Sequence, residues 1–385
     1  MKISISVLGR FHAFNMAQQL VKRGRLEQLI TSYPKFFAIE KFNIPKEKIT
    51  SILSAEILKR GLAKLPPFTK DIYNTQLLIS NFYDKLASHK VRSSDIFIGF
   101  SSVSLYSLRK AKSLGAKTIL ERGSSHIVYQ NDILKEEYEK YGLRPDLPHP
   151  EIIKKELREY EEADYVEVPS VFVKNTFIEK GFPAEKLIHV PYGVDLSLFK
   201  PLPKKDNVFR VIFGGGLSLR KGTHYLLKSF SELNLKNSEL LLAGPVNEEI
   251  VPFLKKYAGH YKRIDYVPFT EINKIFSQGT VFVMPSIEEG LALIQPIAMA
   301  CGLPVICTTN TGGEDIIRDG LDGFVIPIRS VEKIKEKILY FYENPEAAKM
   351  MGDSARLRVS SGFTWDDYGA KVSDIYENIL KNKGK

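Results

Sequence analysis

Cysteine is nearly absent: Cys301 and Cys307 are the only two in 385 residues. Two thiols build neither a disulfide framework nor a four-thiolate zinc site, so a reducing compartment is the expectation. Long apolar runs are missing too, since no stretch reaches the roughly 18 apolar residues that a membrane-spanning helix needs. The opening MKISISVLGRFHAF has too short an apolar part for a signal peptide and reads as a first strand entering a loop. A cytoplasmic chain follows as the expectation. The sequence contains no GxxxxGK[ST] P-loop, GxGxxG fingerprint, GxSxG elbow, HExxH pair or Cys/His cluster. Hydrolase and metalloenzyme readings lose most of their support on that ground.

What is there is the composition of a folded chain, 44% hydrophobic and 26% charged, which excludes disorder. The length suggests two or three domains. Charge is uneven. Residues 1–120 hold 20 Lys and Arg against 7 Asp and Glu, whereas the remainder carries a net charge of −3. A basic first third on a near-neutral partner points to an anionic surface, or else to a solvated basic face with no partner. There is no aromatic-interleaved or helix-turn-helix signature, so nucleic acid is not expected.

Short apolar runs alternate with amphipathic stretches. Strands are expected at Lys2–Leu8, Leu29–Thr31, Ile96–Phe100, Thr118–Leu120, Tyr165–Val168 and Leu187–Val190. A second series follows at Phe209–Phe213, Leu240–Ala243, Arg263–Val267, Val281–Pro285, Pro304–Cys307 and Gly323–Ile326. Helices such as Ala13–Arg23, Ser107–Leu114, His224–Leu233 and Ser330–Tyr342 lie between them. This rhythm predicts an α/β protein with parallel sheets covered on both faces. It breaks at Pro191, Pro201, Pro203 and the polar Lys204–Asn207, giving a boundary near residue 202. Each side has room for a doubly wound sheet of about six strands that meets ligands at the strands' carboxyl ends. The stretch Trp365–Leu380 is amphipathic, with Tyr368, Val372, Ile375, Tyr376 and Ile379 on one face, and is expected to pack back onto the first domain.

Several loops could carry chemistry. Gly214, Gly215 and Gly216 follow the first strand of the second series, and Arg220, Lys221 and Gly222 precede a helix. Amides, cations and a helix start converging there suit a phosphate, although a tight glycine turn would look the same. Glu289 and Gly290 follow Val281–Pro285, with a helix opening near Pro296; Thr311–Asp315 forms a further polar loop. In the first half, Gly9–His12 follows the first strand and Glu121–His126 follows Thr118–Leu120. A lone histidine is more often structural than catalytic, but His126 stands among Glu121, Arg122 and two serines at a strand end.

With these segments in hand, the chain resembles glycosyltransferase family 4, the retaining group 1 enzymes of GT-B fold. The resemblance is carried by ADYVEVPSVFVKNTFIEKGFPAEKLIHVPYGVDLSLFKP (163–201), GGGLSLRKGTHYLL (214–227) and Val281–Ile326. It implies two facing Rossmann-like domains with a deep interdomain cleft: an acceptor domain at 1–202 completed by helix 365–385, and a nucleotide-sugar domain at 203–364. It implies that Lys221 and Arg220, beside Gly215 and Gly216, hold the donor diphosphate. Glu289 matches the first glutamate of the E-x7-E motif and would contact the donor sugar beside Gly290. Amides near Leu293 would face the phosphates, Gly9 would allow close approach of the donor, and His126 would meet the sugar. Tyr266, Val267 and Pro268 would frame the base. The expected catalytic set is therefore His126, Arg220, Lys221 and Glu289. The expected donor is a UDP- or GDP-linked sugar, with no metal or other cofactor required.

Two positions depart from the family. Eight residues after Glu289 stands Ile297, where the second glutamate usually bonds the ribose, and Gln295 is near but out of register. Gly216 replaces the usual arginine of the phosphate loop. The expectation is a hexosyltransferase acting on a saccharide or lipid-linked acceptor in cell-surface polysaccharide biosynthesis. Segment Ile52–Tyr73, with Lys59, Arg60, Lys64 and Lys70, would dock on an anionic membrane surface, or else pack as an ordinary amphipathic helix. A non-catalytic sugar-nucleotide-binding relative and a GT-B epimerase are the alternatives.

Overall fold

All five residues of Ile3–Val7 are fully buried, Ser4 and Ser6 included. A strand buried on both faces belongs in the middle of a parallel sheet covered by helices. Its hydroxyls then need partners inside, and Ser6 shares a 3.1 Å hydrogen bond with Tyr83.

In the computed structural model, which describes residues 1–64 and 75–381, that strand is β1 of a seven-stranded parallel sheet. The others are β2 (Leu26–Thr31), β3 (Ile49–Ser51), β4 (Ile96–Phe100), β5 (Lys117–Glu121), β6 (Tyr165–Val168) and β7 (Leu187–His189), in the order β3-β2-β1-β4-β5-β6-β7. A second parallel sheet holds β8 (Phe209–Gly214), β9 (Ser238–Ala243), β10 (Lys262–Ile264), β11 (Val281–Met284), β12 (Val305–Thr308) and β13 (Gly323–Ile326), ordered β10-β9-β8-β11-β12-β13. Strand order reverses beside β1 in the first sheet and beside β8 in the second. The loops leaving those strands therefore open the crevices where ligands of doubly wound sheets bind.

Two elements differ from the sequence reading. The edge strand β3 was not anticipated, because three residues after a lysine-rich turn carry no period. The expected strand Arg263–Val267 stops at Ile264; the chain turns at Asp265 and leaves Tyr266 79% exposed.

The helix Trp365–Lys381 crosses back onto the first sheet's side. Lys22 Nζ reaches Asp366 at 2.9 Å, Arg23 donates to the Asp366 carbonyl at 2.8 Å, and Arg25 pairs with Glu377. Tyr368, Val372, Tyr376 and Ile379 are buried, while Ile375 is only partly so. The crossing is tight: a Cβ on Gly193 would sit 2.6 Å from the Thr364 carbonyl oxygen, so only glycine fits there. Residues 382–385, and residues 65–73 of the membrane-docking expectation, lie outside the described residues. No helix among the described residues is long and apolar enough to cross a membrane.

Candidate active site

Four loops leave carboxyl ends of strands and face one another across a cavity of about 1200 Å³: Leu8–His12 after β1, Arg122–Ser125 after β5, Gly215–Gly222 after β8 and Pro285–Leu293 after β11. Their contact is close. A Cβ on Gly290 would stand 1.9 Å from the Gly123 carbonyl oxygen, so a side chain there would push the two halves apart.

Lys221 and Glu289 meet at the cavity wall as an ion pair, both partly shielded from solvent. Gly215 and Leu293 line the same cavity, whereas Gly216 and Gly290 do not. Arg220 is engaged elsewhere. Its Nε donates to Glu288 Oε2 at 2.9 Å and its Nη2 to the Ser124 hydroxyl at 3.2 Å. Glu288 is fully buried, yet Arg220 and hydrogen bonds from Ser125 and Gln130 outweigh that burial and hold its carboxyl down at about 2. Arg220 thus joins a clasp between the halves rather than the cavity lining. A second clasp lies behind it. Glu137, on helix Ile127–Lys140, accepts from Tyr225 (2.9 Å) and Arg329 (2.6 Å), and its carboxylate is 3.0 Å from His224 Nε2.

His126, expected at the sugar, does not line the cavity. Its Nδ1 accepts from the Val128 amide at 3.3 Å as the cap of helix Ile127–Lys140, and its ring packs 5.1 Å from Tyr160 and 4.9 Å from Phe177. Burial, then the charge of Arg122, pushes its pKa down to about 4. The serines and Glu121 that drew attention to it in the sequence point away from it: Ser125 bonds Glu288, and Glu121 serves a different histidine.

That histidine is His12, which lines the cavity with Glu121 and Tyr192. His12 Nε2 lies 3.0 Å from Glu121 Oε1, and Tyr192 donates to the same oxygen at 2.6 Å. Its signal in the sequence was position alone, in the turn after β1 opposite a carboxylate ending β5. Beneath the pair, Glu121 is in register with Glu167 on β6. Burial, then the neighbouring charge of Glu121, raises the Glu167 pKa to about 8, while Tyr368 and Tyr376 donate to it.

The remaining expected residues divide. Gly9 does not line the cavity: its amide donates to Ser32 (3.0 Å) and its carbonyl accepts from Thr31 (2.8 Å), although its neighbours Leu8 and Arg10 do line it. Tyr266, Val267 and Pro268 form an extended approach outside the lining, and Phe269 and Thr270 enter it instead. Ile297 lines the cavity where the family's second glutamate would stand. Gln295 cannot replace it, being fully buried and donating to the Thr311 carbonyl at 3.0 Å. Among the described residues no group of three or more His, Cys, Asp or Glu is placed to hold a metal ion.

Comparison with known proteins fits this architecture. Residues 196–358 match the family model of glycosyl transferases group 1. The chain is 26% identical over 239 residues to the uncharacterized glycosyltransferase MJ1069 of Methanocaldococcus jannaschii, covering 57% of this chain and 60% of that one. It is also 26% identical over 237 residues to a GDP-mannose-dependent alpha-(1-6)-phosphatidylinositol monomannoside mannosyltransferase of Mycolicibacterium smegmatis, covering 56% and 62%. The match therefore spans about three fifths of the length of these relatives. The crystal structure of Anabaena Alr3699/HepE in complex with UDP-glucose superposes with a TM-score of 0.71 at 15% identity, over 98% of this chain and all of that one. The fold is GT-B.

Proposed function

From the group 1 match and the cavity between two doubly wound sheets, we propose that this protein is a glycosyltransferase. It moves a hexosyl group from a nucleoside-diphosphate sugar to a saccharide or lipid-linked acceptor. The observation that carries the reading is Lys221 and Glu289 facing the cavity from the loops after β8 and β11. A diphosphate entering there takes Lys221 as its counter-ion and frees Glu289 to accept from hydroxyls of the donor sugar.

Transfer loosens the sugar–phosphate bond, and negative charge grows on the leaving diphosphate. Lys221, held within the cleft, stabilises that charge where it develops. Arg220 contributes by fixing the loop through Glu288 and Ser124 rather than by touching the phosphates. Resemblance to family 4 supports retention of configuration by same-face attack, the leaving diphosphate taking the acceptor's proton. On this reading protein cations do the work at the diphosphate, without a metal. The GDP-mannose of one relative and the UDP-glucose bound by the structural neighbour support a GDP- or UDP-linked donor; a role in cell-surface glycan synthesis is part of the same proposal. The basic first third, with Leu53, Ile57, Lys59 and Arg60 exposed on helix Leu53–Ala63, supports docking on an anionic membrane. Flotation with anionic vesicles at low salt tests that docking, and protein left at the bottom of the gradient counts against it.

A second reading, a non-catalytic sugar-nucleotide-binding relative, is favoured by Ile297 at the ribose position. A thermal-shift panel of nucleoside diphosphates and nucleotide sugars, followed by donor turnover, separates the two. A ligand at 100 times its dissociation constant adds about 2.7 kcal/mol of stability. Binding with turnover supports the enzyme; binding without any turnover supports the relative; no shift with any nucleotide sinks both.

A further inference from the structure

Among the described residues three histidines stand at the caps of helices, and they spend their rings differently. His126 and His149 each turn Nδ1 onto an amide of the helix that follows, Val128 at 3.3 Å and Glu151 at 3.2 Å. His12 holds the same position before helix Ala13–Lys22, yet its side chain makes no capping hydrogen bond. It lines the cavity instead, although only 6% of it is exposed.

The ring is fixed by its neighbours. Tyr192 packs against it with ring centroids 4.1 Å apart, and Phe100 with centroids 5.1 Å apart. Nε2 is buried 3.0 Å from Glu121 Oε1, and the Tyr192 hydroxyl holds that same oxygen at 2.6 Å. A ring lone pair facing a carboxylate at that distance would be repelled, so the proton sits on Nε2 and Nδ1 is an acceptor. Nδ1, which no described residue engages, is the nitrogen left to the cavity. Its place is close to the donor loop. The Tyr192 hydroxyl stands 3.2 Å from where a Cβ on Gly123 would lie, and the Gly123 carbonyl abuts Gly290, next to Glu289. His12 and Glu289 thus face the same cavity from opposite halves, joined by one chain of contacts.

An acceptor nitrogen selects a group that donates. A diphosphate offers only acceptor oxygens, whereas a hexosyl group carries hydroxyls around its ring. We propose that His12 is a specificity-determining residue of the donor site: its Nδ1 accepts a hydrogen bond from a hydroxyl of the transferred sugar. Glu121 is the positioning residue that keeps the ring proton on Nε2, and Tyr192 with Phe100 stops the ring from turning. The proposal rests on the glycosyltransferase reading and gives the sugar a partner in the first half, apart from Lys221 at the diphosphate.

The test is isothermal titration of the full chain with UDP-glucose against UDP, and with GDP-mannose against GDP. His12→Ala is expected to weaken the sugar nucleotide by about fivefold, the scale of one net hydrogen bond, and to bind the bare nucleoside diphosphate as the wild type does. His12→Leu, which fills the space between the rings without an acceptor, should lose the same factor. His12→Asn, whose Oδ1 stands near the place of Nδ1, should regain most of it, and His126→Asn should change neither affinity. Unchanged sugar-nucleotide binding in the alanine and leucine variants overturns the proposal. So does an equal loss in His12→Asn, which would make the packing of the ring the cause, and so does an equal loss for the bare nucleoside diphosphate, which would move the effect off the sugar. The wild-type titrations keep the two readings apart: nucleotide binding that never depends on His12 refutes the sugar contact alone, and absence of binding by every nucleotide refutes the transferase reading as well.

Discussion

Glu288 Oε1 accepts two hydrogen bonds from Ser125, one from its amide at 3.0 Å and one from its hydroxyl at 2.7 Å, across 163 residues of sequence. The other oxygen takes Gln130 and Arg220, both at 2.9 Å. One buried carboxylate therefore holds the loop after β5 to the loop after β8, and the next residue, Glu289, faces the cavity.

Removing that carboxylate leaves Arg220 without its main counter-charge inside the protein. Glu288→Ala is expected to cost about 1–3 kcal/mol in urea-induced unfolding, because Ser125 and Gln130 lose their buried acceptor and half-buried Arg220 keeps only Glu289, 3.9 Å away. Glu288→Gln, which keeps an acceptor for Ser125, should lose less. Unchanged stability of the alanine variant would show that the clasp does not contribute.

Lys221 lines the cavity and, on the proposed reading, serves the chemistry rather than the fold. Lys221→Ala is expected to lower turnover by about 100-fold, the scale of removing one group that stabilises developing charge. Its unfolding curve should remain close to wild type. Near-normal turnover would remove the basis of the donor-site assignment.

Ile297 is the position where affinity can be gained. Ile297→Glu restores a carboxylate to the cavity wall, and a charged hydrogen bond to a ribose hydroxyl is worth about 1.5–3 kcal/mol. Nucleoside diphosphate binding measured by calorimetry should tighten by about tenfold or more. Unchanged affinity would mean that the ribose lies elsewhere.

Two buried groups titrate with opposite signs. Glu167 keeps a proton up to about pH 8, while an unfolded chain releases it near 4.5; stability therefore falls as pH rises through that window, by up to about 1.4 kcal/mol per unit. Glu167→Gln should flatten this decline. His126 stays neutral down to about pH 4, whereas an unfolded histidine takes its proton near 6.5. Stability is accordingly lost as pH falls through that range, and His126→Asn, which can still cap the helix, should reduce the loss while leaving turnover intact. Thermal melts of both variants across pH 4–9 check the signs, and a large turnover defect in His126→Asn would return it to the reacting centre.

Much of the architecture was legible in the sequence because parallel strands buried on both faces announce themselves as apolar runs; β1, β4, β8 and β11 were each within a residue or so of their observed limits. β3 was invisible because three residues cannot show a period, and the second half of Arg263–Val267 misled because Tyr266 and Val267 read as β-formers while lying in a loop. Of the site, Lys221, Glu289, Gly215 and Leu293 were found from strand ends and family motifs, and they do line one cavity. His126 was preferred over His12 because its neighbours in sequence were polar. Of those neighbours, Ser125 and Ser124 bond Glu288 and Arg220 in the opposite half, and Glu121 bonds on its own side to Tyr192, long-range contacts that no local pattern contains. The pairings of His12 with Glu121 and of Glu121 with Glu167 depend on strand order and register, which emerge only once the sheet is assembled.

The helix Trp365–Lys381 also sets an order of events. Glu167 receives its two tyrosine hydroxyls from residues made some 200 positions later, and the β1–β2 side of the first half is covered by that same last helix. Until that helix is in place, Glu167 lacks both of its hydroxyl donors, and Lys22, Arg23 and Arg25 lack their partners on Asp366 and Glu377.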